Sequence, residues 1–293
     1  MEYIPAKTIV TRTKDSAWFG ADYNMNIYRG CCHGCIYCDS RSACYRIEDF
    51  DRVRAKENAL QIIRDDLRRK VMTGVVGTGA MSDPYNPFER ELALTRHALE
   101  LIYAFGFGAA IATKSPLVTR DIDVLQEIKR QAPLLVKLTI TTADDALSRK
   151  IEPGVAVSSE RFLALKTLAA QGIYCGVLLM PVLPWITDTE ENILEIVRLA
   201  HENGAKFIYP GFGVTLRTGQ REYFYAQLDA RFPGLRARYE KRYGERYSCG
   251  SPKAKQLYAR FAEACSDLGL RYKMPSIVQD YKRGYEPPQI SFF

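Results

Sequence analysis

The chain has 293 residues, and its 47% hydrophobic content is enough to bury one large core or two ordinary ones. No apolar run reaches bilayer-spanning length, and "MEYIPAKTIVTRTKDSAWFG" lacks a basic start followed by an apolar stretch, so secretion and membrane insertion are not expected and a cytoplasmic protein is. The net charge of +7 is uneven: from Arg231 onward thirteen Lys and Arg face six Asp and Glu, which places the basic character in the C-terminal segment.

In chain order, "YNMNIYR" reads as a strand just before the first cysteines. A rhythm of helix and strand then begins near Lys56. "AKENALQIIRDDLRRKV" carries apolar residues at helical spacing and leads into "TGVVGTGAM", a short apolar strand that ends in glycines. "ERELALTRHALELIYAFG" is a second helix with a glycine stop, followed by "FGAAIATKS". "RDIDVLQEIKRQA" and "LLVKLTITT" make the third pair. "SSERFLALKTLAAQG" opens on a Ser pair suited to an N-cap and precedes "IYCGVLLMPVLP". "DTEENILEIVRLAHENG" and "AKFIYPGF" complete the series.

Six strands with little polar alternation, five of them each following a helix, predict a parallel sheet covered by helices. The expected fold class is α/β, a six-stranded partial TIM-type barrel, with a doubly wound open sheet as the alternative. The expected organisation is an N-terminal arm over 1–20, a core barrel over 21–212 and a basic, Tyr-rich extension over 213–293. In such barrels the chemistry belongs to the loops that follow the strands.

The first of those loops is "NIYRGCCHGCIYCDS", with four of the eight cysteines. Without an export signal the thiols belong to a reducing compartment, where a cluster points to metal before disulfide. Cys31, Cys35 and Cys38 give the spacing C-x3-C-x2-C, and Gly30 and Gly34 let the chain wrap tightly. That spacing suits an iron–sulfur cube, each iron taking one protein sulfur. A zinc site wants four ligands in two spaced pairs; no second pair follows, although Cys44 or His33 is available as a fourth ligand. Three thiolates on a four-iron cluster leave one iron open to a substrate or cofactor. Cys32 falls out of register and reads as a packed thiol or a spare hydrogen donor. Cys175, Cys249 and Cys265 are isolated and read as packed thiols.

The C-x3-C-x2-C loop, with Tyr37 before its last cysteine, resembles that of the radical S-adenosylmethionine (SAM) superfamily. Within it the chain is similar to the spore photoproduct lyase-like family from about Tyr28 to Pro184. The resemblance implies a [4Fe–4S] cluster on Cys31, Cys35 and Cys38, SAM as cofactor, and a one-electron donor such as flavodoxin or ferredoxin. "MSDPYNP" resembles the family's Ser-Asp and points to Ser82 and Asp83 as SAM contacts. "TKS" resembles its Thr-Lys and makes Lys114 the partner of the methionyl carboxylate. "LTITTADD" matches a strand that contributes a small hydroxyl, Thr139. "EPGVAVSSER" resembles its Glu-Pro-Gly with a downstream Arg, here Arg161. Tyr37 joins these contacts and is also a candidate for a catalytic role.

Two departures separate the chain from the lyase's own reaction. The lyase carries a hydrogen-donating Cys where this chain has Ala80, and a tyrosine where it has Asp39. Cys44 or Cys32 is the expected substitute donor. Beyond the barrel, "LRARYEKRYGERYSCGSPKAKQLYARF" interleaves cations with aromatics, as single-stranded or flipped nucleic acid requires. The tyrosines equally fit a helical cap that packs inward. Arg217, Gln220 and Arg221, after the sixth strand, are candidate substrate contacts. The favoured function is a radical enzyme acting on a nucleic-acid base. A radical enzyme acting on a peptide or small molecule, and a non-catalytic iron–sulfur or zinc module, are the alternatives.

Overall fold

The computed structural model describes residues 1–285. The chain opens with β1 (Glu2–Ile4), β2 (Val10–Arg12), β3 (Tyr23–Met25), β4 (Tyr28–Arg29) and β5 (Arg54–Lys56), followed by α1 (Ala59–Arg68) and β6 (Val75–Thr78). Next come α2 (Glu89–Leu92), α3 (Leu94–Ala104), β7 (Gly108–Thr113), α4 (Ile122–Gln131), β8 (Leu134–Thr139), α5 (Asp145–Ile151), α6 (Ser158–Ala170) and β9 (Cys175–Leu179). Then follow α7 (Glu190–Glu202), β10 (Phe207–Pro210), β11 (Gly213–Thr215), α8 (Gln220–Arg231), α9 (Leu235–Tyr243), β12 (Ser248–Gly250), α10 (Ala254–Asp267) and α11 (Met274–Lys282).

Six strands, β3, β6, β7, β8, β9 and β10, lie parallel in that order, and β2 pairs antiparallel at the β3 edge. This is the partial barrel expected from the apolar runs, and its order is sequential rather than doubly wound. Alternate residues divide the strands between two cores. On β8, Leu134, Val136 and Leu138 face the covering helices, whereas Leu135 joins Val75, Ala110, Leu178 and Phe207 in the lumen. The open side between β3 and β10 is bridged by aromatic rings from the turn after β2: Trp18 and Phe19 stand 5.5 and 5.3 Å, centroid to centroid, from Tyr209 of β10. Helix α11 closes over the same rings, and its Tyr281 hydroxyl donates to the Phe19 carbonyl.

Several local expectations shift. The first predicted helix starts at Ala59 because Arg54–Lys56 is claimed by a small side sheet with β1 and β4. The second breaks at Ala93, whose φ of 50° is left-handed. The Ser158–Ser159 pair lies inside α6, and the capping contact is Glu160 accepting from the Val157 N–H at 3.0 Å. The segment from 213 onward does not stand apart from the barrel: Phe224, Leu228, Tyr239 and Tyr243 share one hydrophobic cluster with Cys35, Ile36 and Tyr37 of the cysteine loop. The last eight residues of the expected 213–293 extension lie outside the described residues. No described helix is long and apolar enough to cross a membrane.

Candidate active site

The loops after β3, β6, β7 and β8 converge on one cavity of about 490 Å³. Cys31, Cys35, Cys38 and Tyr37 line it from the first loop, Ala80, Ser82 and Asp83 from the second, and Lys114 and Thr139 from the ends of β7 and β8. Eight of the predicted site residues, the three cysteines with Tyr37, Ser82, Asp83, Lys114 and Thr139, are thereby brought to one space.

The cysteine loop is held by backbone bonds rather than by helix or sheet. Cys31 N–H donates to Phe50 O at 2.8 Å, Ile36 N–H to Ile151 O at 3.0 Å, and Gly154 N–H to His33 O at 2.9 Å. Gly30 is indispensable in this wrap: its φ is +80°, and a Cβ there would stand 2.7 Å from Phe50 O. The Glu-Pro-Gly motif serves the same loop. Pro153 covers Gly34, a Cβ at Gly154 would meet Cys32 O at 2.6 Å, and Glu152 accepts hydrogen bonds from the Tyr37 hydroxyl and the Arg161 guanidinium.

Asp83 ties three loops together. Its carboxylate accepts from Tyr85 N–H at 2.9 Å, Thr113 Oγ1 at 2.6 Å and Lys114 N–H at 2.8 Å, and stands 3.5 Å from His33 Nδ1. Ser82 Oγ donates to Gly30 O at 2.6 Å. Asp39, at the cavity mouth, accepts from Tyr45 Oη at 3.0 Å and Thr215 Oγ1 at 3.3 Å, so it joins the cysteine loop to β11.

Burial, with Asp83 second, pushes the Cys31 thiol up to about 12, and burial raises Cys35 as well. Both are therefore protonated near neutrality, and loading a metal cluster must expel those protons. Burial lowers the His33 imidazole against the pull of Asp83, leaving it neutral. For Lys114 burial opposes the charged form, but Cys35, Glu152 and Asp83 outweigh it and hold the ammonium above its usual value. The donor set fits a polynuclear cluster. Cys38 is near enough to Cys31 and Cys35 to raise the pKa of each, yet no three His, Cys, Asp or Glu side chains among the described residues close to the spacing of a single ion.

Other candidates stand elsewhere. Arg161 is buried but absent from the cavity wall: it donates to Glu152, to Thr139 O at 2.7 Å, to Ala156 O at 2.8 Å and to Ser148 Oγ at 3.0 Å, so its capacity is spent on the scaffold. Gln220 is buried and donates to Tyr37 O at 3.0 Å, which supports the cysteine loop from behind. Arg221 donates to the carbonyls of Leu216, Gly244 and Arg246. Arg217 is half-exposed two residues beyond the cavity-lining Thr215, with Tyr247 Oη at 2.9 Å and Cys44 Sγ at 3.2 Å. Cys44 is exposed and Cys32 packs on the main core; neither lines the cavity, so neither is positioned as the substitute donor. Of the tail tyrosines, Tyr239, Tyr243 and Tyr281 are buried with their hydroxyls bonded to carbonyls, as a packed cap requires, while Tyr247 and Tyr258 remain exposed.

Three cavity residues were not singled out from sequence: His33 as an inward-facing group, Asn24 of β3 and Lys137 of β8. Lys137 did carry a signal, as the only charged residue in the apolar run 134–140.

A partial parallel barrel with three thiols, a cation and small hydroxyls gathered at its strand ends fits a cysteine-ligated cluster beside a small cofactor that carries a carboxylate. The chain belongs to the Radical SAM superfamily, whose model matches residues 25–200. That membership makes it a radical SAM enzyme that uses SAM and an iron–sulfur cluster. It is 30% identical over 244 residues to an uncharacterized protein of Mycobacterium tuberculosis, covering 81% of this chain and 72% of that one. It is 34% identical over 195 residues to an uncharacterized protein of Methanocaldococcus jannaschii, covering 66% of this chain and 71% of that one. A radical SAM Nalpha-GlyT isomerase of Pseudomonas phage M6 is 22% identical over 263 residues, which is 87% of this chain and 52% of the isomerase. The structure of spore photoproduct lyase complexed with dinucleoside spore photoproduct superposes with a TM-score of 0.65 at 16% identity, over 92% of this chain and 80% of that one. A mutant of the same lyase gives 0.69 at 15% identity over 92% and 81%. These superpositions establish the shared fold.

Proposed function

We propose that the chain opens SAM reductively at a [4Fe–4S] cluster held by Cys31, Cys35 and Cys38, and that the substrate is a nucleic-acid base. The observation that carries this reading is the convergence of the three thiols and the Lys114 ammonium on one cavity. When bound, the cluster and SAM supply one-electron cleavage of the sulfonium C–S bond, which yields methionine and a 5′-deoxyadenosyl radical for hydrogen abstraction. An external donor of the flavodoxin or ferredoxin type provides the electron.

The protein's own share is positional. Lys114 offers a cation at the strand ends that suits the methionyl carboxylate, and Thr139, Tyr37 and Ser82 complete the polar wall. Asp83 spends its oxygens on Thr113, Lys114 and Tyr85, so it sets the wall rather than binding SAM directly. Ala110, Ala112, Leu178 and Met180 keep the deeper wall apolar, which excludes water from a reactive radical.

The nucleic-acid part has separate support. Residues 213–250 hold eight Lys and Arg against four Asp and Glu. Arg217 lies 4.9 Å over the exposed Tyr247 ring beyond the mouth, a pairing of cation and aromatic face suited to a phosphate and an unstacked base. Two similar proteins carry names that speak of a dinucleoside and of an Nalpha-GlyT isomerase. The burial of Tyr239, Tyr243 and Tyr281 removes those rings from such a surface.

With Ala80 and Asp39 in place of the lyase's relay, the reaction finishes differently from the lyase's. The test is anaerobic reconstitution with dithionite and chromatography for 5′-deoxyadenosine, with and without oligonucleotides. Product is expected to rise with nucleic acid, to fall back as salt weakens phosphate contacts, and to be accompanied by no reversal of the dinucleoside spore photoproduct. Product that is indifferent to every oligonucleotide contradicts the substrate class.

A further inference from the structure

The inward positions of β6, the turn just after it and β7 are unusually small. Gly77, Gly79, Ala110 and Ala112 line the cavity, where a filled barrel would place large branched side chains. The space they leave runs below the SAM-facing wall into the lumen. Lys137 enters it from β8, two residues before Thr139 on the same face of the strand.

Lys137 is 3% exposed, and its surroundings hold no counter-charge. The nearest polar partner is Ala110 O, at a long 3.4 Å, and the ammonium sits 4.6 Å from the centre of the Phe19 ring. Ala112 on β7 and Gly176 on β9 flank Lys137 in register, Phe19 of the β2–β3 turn lies by its ammonium, and the lumen cluster to which Phe19 belongs, with Ala110, Leu178, Ile277 and Tyr281, holds no charged side chain. Burial alone lowers the group to about 7. Buried charges in folded proteins are paired, because an isolated one costs more than packing returns. A second polar side chain, the Asn24 amide, lines the same cavity from β3. Of the cavity's other cationic side chains among the described residues, Lys114 is already surrounded by Asp83, Glu152 and the thiols.

We propose that Lys137 binds an oxyanion of the substrate, a carboxylate or a phosphate, at the floor of the cavity, and that the missing counter-charge arrives with that substrate. This rests on the reading above that the cavity receives a substrate beside SAM. The anion enters past the SAM wall, pairs with the ammonium, and takes its orientation from Asn24. Lys137 is therefore a binding residue that selects acidic substrates, and no bond is made or broken at its nitrogen.

The test uses the full chain without reduction, so it does not depend on SAM cleavage. Thermal midpoints of the wild type, K137M and K137R are compared in chloride, inorganic phosphate and acetate at matched ionic strength near neutral pH. The Lys137 pKa is followed by NMR of protein labelled at the lysine side-chain carbons, with K137M providing the assignment. Phosphate, acetate or both should raise the wild-type midpoint, K137R should keep the response and K137M should lose it. The Lys137 pKa should rise by about one unit on saturation, a tenfold coupling. The arm that responds separates a phosphate from a carboxylate. An equal response in K137M means that the anions bind only the basic surface, and overturns the proposal. A rise produced by S-adenosylhomocysteine alone means that Lys137 serves the cofactor, and also overturns it. Cluster absorbance after reconstitution is recorded in parallel: K137M that loads its cluster yet matches the wild-type anion response leaves the radical-enzyme reading standing.

Discussion

Replacing Arg161 with Met should destabilise the fold by about 3–5 kcal/mol, the cost of leaving a buried carboxylate without its partner. For a domain of this size that is a fall of roughly 5–15 °C in Tm. Arg161 and Glu152 are both fully buried, and Glu152 also accepts from Tyr37, so the lost charge pair lies directly under the cysteine loop. Burial alone would raise the Glu152 pKa, but Arg161 and Lys114 outweigh it and hold the group below its usual 4.5. The sign follows: the stabilisation is complete above that ordinary value and is lost as the pH falls through the lower folded one. The wild-type advantage over R161M should therefore be flat around neutrality and shrink in acid. A double variant, Glu152→Leu with Arg161→Met, should recover much of the loss, because an apolar pair is no worse than an ion pair in a buried site. Denaturation of the three proteins across pH checks this. A single-variant cost under about 1 kcal/mol, the level of an exposed pair, contradicts the assigned role.

The second large effect is on cofactor binding. Lys114→Met removes the cation assigned to the methionyl carboxylate and leaves that carboxylate in a desolvated wall. Losing one partner of such a pair costs about 2–5 kcal/mol, or roughly thirty-fold to several thousand-fold in SAM affinity. Equilibrium binding of SAM to the reconstituted protein measures it. The iron content of the variant should stay that of the wild type, because Lys114 is not among the three proposed cluster ligands. Unchanged SAM affinity with a full cluster would remove Lys114 from the site.

The six parallel strands were legible because a strand buried on both faces must be apolar at nearly every position, as "LLVKLTI" and "YCGVLL" are. The side sheet of β1, β5 and β4 was not, because strands of two or three residues are too short for periodicity to register. Helix α5 after its first residue falls between two quoted motifs, "LTITTADD" and "EPGVAVSSER", over six residues given no element of their own. Spacing in sequence singled out Cys31, Cys35 and Cys38, and the fold brings all three to one cavity. Motif order overreached at Arg161: a Glu and an Arg that both converge on the site region pair with each other here, and only coordinates reveal that neither is left for a ligand. Gln220 and Arg221 were misread for a similar reason. A polar residue near a strand end looks like a substrate contact, while backbone carbonyls of a tight loop compete for the same donors. Lys137 shows the reverse case, a lone charge in an apolar run that periodicity treats as an interruption and that has no counter-charge among the described residues.

The central claim is that Cys31, Cys35 and Cys38 hold the cluster that opens SAM, and 5′-deoxyadenosine formation tests it most directly. The wild type and a variant with all three cysteines changed to Ala are reconstituted anaerobically, reduced with dithionite and assayed by chromatography for that product. The wild type should form it and the triple variant should form none, while Cys32→Ala and Cys44→Ala retain it. Cleavage that survives loss of all three cysteines would contradict the assignment of the cluster to this loop.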